Sequence, residues 1–393
     1  MRTSVRPMTP SHSRTDWLLV GLIFCLGLFA AAQFGKISLS LDALAQAYDR
    51  SLPQLAILVS LVGGIGIVFG VVAGGIVARL GGKKVLLAAV IFGAILSGLE
   101  GLVPPFAAMI PLRIAEGLSH LAIVVACPAL MAAAANDHDR PVAMSLWAMF
   151  FGVAFAVVSL IAPATLALGG LPLLYGGHAV GLLCVGLLVW MRLPDVAPDP
   201  QPPLRYLRAH VRSYSNPRIA APGLGFLMYT LMYLAIMTFL PTAIGRPDLA
   251  AVLPLISLAG TFAAGLLARR YRPDLIAASG FVVTLFGAAV ATTGAIWPLY
   301  LMFIGLGLTP GGCFAAIPYF NSDMGDRARA AGVIAQLGNV GTTLGTPLFA
   351  VGLSIAGTTG LLGLMILASC AGLGLIALMA WQITHADHAE IDP

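Results

Sequence analysis

The chain has 393 residues, 59% of them apolar and 9% charged, with 45 glycines and a mean hydropathy of +0.95. A water-soluble domain needs roughly a quarter of its residues charged to cover its surface, so a cytosolic enzyme and a secreted binding module are excluded. The bases behind the formal net charge of +5 are spread over short loops rather than gathered in one patch, so no nucleic-acid partner is expected.

In chain order, the first sixteen residues are polar and basic. Trp17 then opens an apolar run too long for a signal-peptide core, which predicts a retained first span. Crossing a hydrocarbon core of ~30 Å takes about 20 apolar residues. Runs of that size fall at 17–39, 53–78, 84–102, 106–135, 142–166, 171–191, 220–241, 249–268, 275–295, 298–320, 331–353 and 358–383. They are continuous rather than alternating, so they are helices and not barrel strands. The expected fold class is an all-α membrane protein with twelve transmembrane helices.

With the N-terminal tail inside, 17 of the Lys and Arg residues fall in inner segments; Lys36, Arg50 and Arg246 fall outside, and Arg113 lies within a span. That bias predicts a multi-pass protein of the bacterial inner (plasma) membrane with both termini cytoplasmic. Cys25, Cys127, Cys184, Cys313 and Cys370 sit singly inside apolar runs, so neither a disulfide framework nor a CxxC metal site is expected.

The polar stretch 192–219, with six prolines and five arginines, divides the spans into 1–191 and 220–393, six on each side. A repeat supports this division. Gly74-Gly75-Ile76-Val77-Ala78-Arg79 aligns with Ala264-Gly265-Leu266-Leu267-Ala268-Arg269 at a shift of 190, which also pairs Gly70 with Gly260 and Gly117 with Gly307. Parallel halves of this kind rock about a site near the bilayer midplane.

The run from Gly74 through Arg79, Leu80, Gly81, Gly82 and Lys83 to Lys84 resembles the loop signature between spans two and three of the major facilitator superfamily, and the resemblance extends over essentially the whole chain. Ala78 stands where that family usually has an aspartate. A second match, Arg113-Ile114-Ala115-Glu116-Gly117, is similar to the family's arginine-then-glycine pattern in span four. At 100° per residue Arg113, Gly117 and His120 share a stripe, with Glu116 about 60° to one side. An arginine at a helix centre costs about 2.5–3.5 kcal/mol on insertion scales, so it faces protein or water.

The resemblance implies a secondary transporter whose pathway is lined by spans one, four, seven and ten. Arg113 then binds an anionic or polar group, with Glu116 and His120 as the coupling protonation candidates. Gln33 and Lys36 of span one, Tyr229 and Tyr233 of span seven, and Gln336 and Asn339 of span eleven join them as substrate or coupling candidates. Gly74, Arg79, Gly81, Lys83 and Arg269 are the gate candidates. Trp147 and Phe151 lie one turn apart in span five.

Met228 and Met232 stack two thioethers at helical spacing, half of the pattern in a copper-importing branch of the family; thioethers select Cu(I). Core filling is the other reading. No GxxxxGK[ST] phosphate loop occurs, so energy comes from a gradient, and no nucleophile–base or paired-carboxylate constellation indicates an enzyme. The expected protein is a monomeric, cofactor-free, proton-coupled importer of a small organic solute, a riboflavin-like vitamin among the options. The span-five glycine–proline motif of antiporters is poorly matched by Ala162-Pro163 with Gly169-Gly170 following, which favours import over drug or metabolite efflux. Cu(I) import and a transport-dead membrane sensor are the remaining alternatives.

Overall fold

The computed structural model describes residues 14–136, 139, 143, 146, 147, 149–194, 206–321 and 324–391. Arg2, Arg6, Arg140, Arg205, the start of the expected fifth run and part of the 192–219 stretch lie outside them. All regular structure among the described residues is helical.

Among the described residues, ten segments are long and apolar enough to cross a bilayer: Trp17–Ser38, Leu52–Val77, Gly82–Gly101, Phe106–Ala134, Phe150–Arg192, Pro217–Ala243, Leu249–Leu267, Pro273–Ala291, Trp297–Phe320 and Arg329–His385. Two of them are broken near the middle. Gly170 at φ +62° and Gly357 at φ +58° interrupt the helical backbone of Phe150–Arg192 and Met324–Ile391, in a region open to glycine alone. Reading each broken segment as two passes gives spans five and six (150–168, 171–192) and eleven and twelve (324–355, 358–391), in register with the runs in the sequence.

Local signals set the ends. The Asp16 carboxylate accepts from Leu19 N at 3.0 Å to start span one, and the Asn216 side chain accepts from Arg218 N at 3.0 Å to start span seven. Gly81, at φ +90°, is at once the last cap of span two and the first of span three, so a single residue makes that turn. A side chain there would be strained, which is the physical reason for the glycine. Short helices also occur among the described residues: Leu41–Tyr48 after span one, and a linker helix, Tyr206–Tyr214, ahead of span seven.

Lipid tails are as apolar as leucine, so association among these helices comes from packing and internal polar contacts rather than from water exclusion. Away from the face that carries the starts of spans one and seven, one continuous buried core joins the two sets of spans. Ile37, Leu58, Phe155 and Val158 from the first set pack there with Ile236, Phe239, Leu253 and Phe349 from the second. Toward the terminal face the core breaks into smaller clusters, one of which, Ile219, Ala330 and Val333 with Val71 against it, still bridges the two sets. Leu19, Ile23, Val90, Cys127, Met131 and Leu182 form a cluster of first-set residues, whereas Ala264, Ile276 and Leu308 form one from the second set.

Candidate functional site

Span one carries Lys36 close to its end, span three carries Glu100, and span four carries Arg113 and Glu116 three residues apart on one helix face. Packing brings all four together, none more than 1% exposed. Lys36 Nζ lies 2.7 Å from Glu100 Oε2 and 2.8 Å from Glu116 Oε1. Arg113 Nη1 pairs with Glu116 Oε2 and lies 3.3 Å from Glu100 Oε1. Two cations and two carboxylates leave the cluster formally neutral, the composition that makes burial of charge tolerable in a medium without water.

Neutral groups complete the coordination. Arg113 donates through Nε to Leu58 O (2.9 Å) and through Nη2 to Gln33 O (2.8 Å). Lys36 donates to Ser97 Oγ (2.7 Å), which is 3.0 Å from His178 Nδ1, and His178 Nε2 is 2.9 Å from Phe29 O. The Tyr175 ring stands 5.4 Å from Lys36 Nζ, with its hydroxyl 2.7 Å from Ser40 Oγ. Arg113 is therefore enclosed by spans one to four and spends its guanidinium on protein, the first of the two surroundings expected for an arginine at a helix centre. Lys36, counted on the outer side in the sequence, sits buried in the interior.

His120 shares the stripe of Arg113, and its Nδ1 lies 3.0 Å from Ala30 O with the Phe34 ring edge-on at 4.9 Å. Gln33 donates through Nε2 to Ser119 Oγ (3.2 Å), which donates to Ala89 O. That fixes the amide orientation, and Gln33 Oε1 is buried with no hydrogen-bond partner among the described residues.

From His120 an aromatic band crosses to the second set of spans. Phe34 lies 6.0 Å from Phe151, which stacks on Phe155 at 5.2 Å and faces Tyr233 at 6.4 Å. Tyr233 continues to Tyr229 at 5.0 Å and Phe303 at 6.4 Å, and Phe226 links Tyr229 to Phe314. Trp147 stacks on Phe150 beside the band. The Tyr233 hydroxyl is 2.7 Å from Ser257 Oγ, which donates to Pro254 O. Phe34, Phe155, Tyr233 and Phe303 are buried; Phe150, Phe151, Phe226 and Tyr229 are half-buried, and Phe314 is exposed. Next to the band Met228 is half-buried, and Met232 is buried with Ser369 Oγ 3.6 Å from its sulfur.

The two sets also meet along spans two and eleven. A Cβ on Gly66 would fall 2.2 Å from Asn339 Cγ, and one on Gly70 would fall 2.8 Å from Gln336 Cα, so glycine is what lets these helices touch. Asn339 Nδ2 donates to Ala335 O, and Gln336 Nε2 to Ile67 O. Both amides are thus taken up by helix contacts. Of the gate candidates, Gly74, Arg79 and Arg269 are exposed and Gly81 makes the turn. Lys83 Nζ donates to Leu193 O at 2.7 Å and lies 5.6 Å from the Trp190 ring, tying the turn to the end of span six.

The family model described as Major Facilitator Superfamily matches residues 22–346. The chain belongs to this superfamily. Its fold is that of a secondary transporter, a multi-pass membrane protein that handles small-molecule solutes. Among solved structures, it is similar to a bacterial homologue of the human lysosomal transporter Spinster in an inward-facing and occupied conformation. That similarity has a TM-score of 0.71 and 14% identity, over 96% of this chain and 98% of that one. Such a homologue in an inward-facing and unoccupied conformation gives 0.66 and 14%, over 93% and 94%. At this identity the likeness is one of fold. No curated protein sequence matches the chain.

In this superfamily member the sequence reading overlooked Glu100, Ser97, Tyr175 and His178. Glu100 carried a signal, since it is a carboxylate closing an otherwise apolar run, and ionisable residues in a span are functional candidates by default. His178 is buried inside span six, bonded toward spans one and three.

Proposed function

We propose that this chain is a proton-coupled secondary transporter that imports a small organic solute across the bacterial inner membrane by alternating access. It works as a monomer with both termini cytoplasmic. Halves 1–191 and 220–393, joined by the 192–219 linker, rock about the aromatic band. In this reading the band binds the solute. Its rings come from spans one, five, seven and ten, so closure of either end compresses them around a flat, conjugated ligand such as a riboflavin-like vitamin.

Proton coupling is assigned to Lys36, Glu100, Arg113 and Glu116, with His120 between the cluster and the band. The single observation that carries this reading is the balanced, fully buried ion cluster, whose Arg113 holds the carbonyl of Gln33 beside the band's Phe34. A buried neutral cluster changes charge when one carboxylate takes a proton, and the surrounding helices must then repack or admit water. The band's burial is complete at its far end and lower toward the cytoplasmic face, where spans two and eleven meet. Arg79, Lys83 and Arg269 are assigned to that face as gate residues.

The test is uptake into proteoliposomes, first with riboflavin and then with ligands found by thermal shift. An inside-alkaline gradient is expected to drive accumulation, and Glu116→Gln to abolish it. Accumulation that ignores the gradient removes the coupling assignment. Binding with no flux favours a sensor that keeps only the fold.

A further inference from the structure

The linker helix has the sequence Tyr-Leu-Arg-Ala-His-Val-Arg-Ser-Tyr over 206–214. Tyr206, His210 and Tyr214 recur every four residues and form one stripe. That stripe lies on the seam between spans two and eleven. Tyr206 Oη donates to Val68 O at 2.6 Å, Tyr214 Oη donates to Gln336 Oε1 at 2.6 Å, and His210 Nε2 lies 3.0 Å from Gln336 Nε2.

An amide nitrogen can only donate, so His210 Nε2 must accept. Its proton is then on Nδ1, which lies 2.9 Å from Tyr206 O and donates to it. The amide cannot be turned over to relieve this demand. Gln336 Nε2 also donates to Ile67 O, and a flip would set the amide oxygen against that carbonyl. Every polar atom in the arrangement is matched, and the match exists only with a neutral imidazole.

We propose that the linker helix is a proton-sensitive latch across spans two and eleven, closed when His210 is neutral and released when His210 is protonated. A second ring proton faces the Gln336 N–H with a donor where an acceptor is required, and the bond becomes a repulsion. Histidine is the side chain that ordinarily changes charge between pH 5 and 8.

The groups around His210 do not cancel that effect. On its own helix the Tyr206 and Tyr214 rings lie 4.2 Å and 6.5 Å away. Arg208 and Arg212, two residues to either side, project about 160° round the helix. Span eleven presents Gln336, and span two presents the carbonyls of Ile67 and Val68. Span seven also packs on the helix, without a hydrogen bond or ion pair to His210 among the described residues, and no described carboxylate pairs with it. Burial, followed by the nearby Tyr206, pushes the Tyr214 hydroxyl up to about 12, so Tyr214 remains a donor over this range.

The docking goes beyond the transport reading and stands without it. Only its consequence rests on that reading: release would loosen a seam that must part for the cytoplasmic face to open, so an acid cytoplasm would favour the open state.

The test needs no solute. In full-length protein with the exposed Cys184 and Cys370 changed to serine, spin labels go on Leu207→Cys and Leu80→Cys, both exposed. Pulsed EPR in lipid nanodiscs is expected to give a narrow distance distribution at pH 8. At pH 5.5 a longer, broader population should account for more than half of the molecules. His210→Gln, permanently neutral and still an acceptor, should stay narrow at both values, and His210→Lys should be broad at both. A wild-type distribution unchanged between pH 8 and 5.5, or a shift that persists in His210→Gln, overturns the latch. Either result leaves the transport proposal standing, since uptake is measured separately.

Discussion

Lys36 on span one reaches Glu116 on span four at 2.8 Å, and neither side chain is exposed by more than 1%. Glu116 is shared, because its other oxygen pairs with Arg113. Removing one partner from a buried ion pair leaves an uncompensated charge, at about 3–5 kcal/mol, whereas neutralising both partners is often close to neutral. Lys36→Met is therefore expected to lower the thermal unfolding temperature in detergent strongly, and Glu100→Gln to do likewise. Lys36→Met with Glu100→Gln restores formal neutrality and should lose much less than the sum. Strict additivity would show that the two side chains do not act as one unit.

Arg113 uses its planar fork in four directions, to Leu58 O, Gln33 O, Glu100 and Glu116. Lysine keeps the charge but gathers its three N–H donors on one nitrogen at the end of a flexible stem. Arg113→Lys should insert and give an unchanged helical circular dichroism spectrum while losing at least tenfold of gradient-driven uptake. Wild-type uptake in Arg113→Lys would mean that charge alone suffices and that the fork geometry is irrelevant to function.

These two residues show what a sequence can disclose. Arg113 and Glu116 are legible because both lie on one helix, where spacing fixes their proximity. The spans and the Gly81 turn are legible for the same local reason: apolar run length, and a backbone angle that only glycine adopts easily. Glu100 lies thirteen residues from Arg113 across a turn, and His178 and Lys36 lie on helices far apart in sequence, so their meeting depends on packing that no periodicity records. Gln336 is the plainest case. An amide in an apolar run announces that it needs a partner without naming it, and the partners turned out to be span two and the linker helix.

The seam glycines separate two kinds of crowding. A Cβ on Gly66 would meet the Asn339 side chain, which can move, whereas a Cβ on Gly70 would meet the Gln336 backbone, which cannot. Gly70→Ala should therefore destabilise the closed seam more than Gly66→Ala. Asn339→Ala should rescue Gly66→Ala, while Gln336→Ala should leave Gly70→Ala unrescued. Thermal unfolding of the four variants and the two doubles ranks them; equal costs, or rescue of Gly70→Ala by Gln336→Ala, would place the contact at the side chain.

Tyr233 does two separable things in the band. Its ring faces Phe151, Tyr229 and Phe303, and its hydroxyl meets Ser257 on span eight. Aromatic pairs contribute about 0.5–1.5 kcal/mol beyond the area they bury, so a stacked planar solute should depend on the ring rather than the hydroxyl. Tyr233→Phe is expected to keep ligand-induced thermal stabilisation within about twofold in apparent affinity, whereas Tyr233→Leu should weaken it at least tenfold, with riboflavin as the first probe. The difference would vanish if the hydroxyl were the recognition element, because Phe and Leu would then fail alike. Ser257→Ala supplies the control: it removes the partner of the hydroxyl and leaves every ring in place, so loss of binding there with binding retained in Tyr233→Phe would assign Ser257 its own contact with the solute.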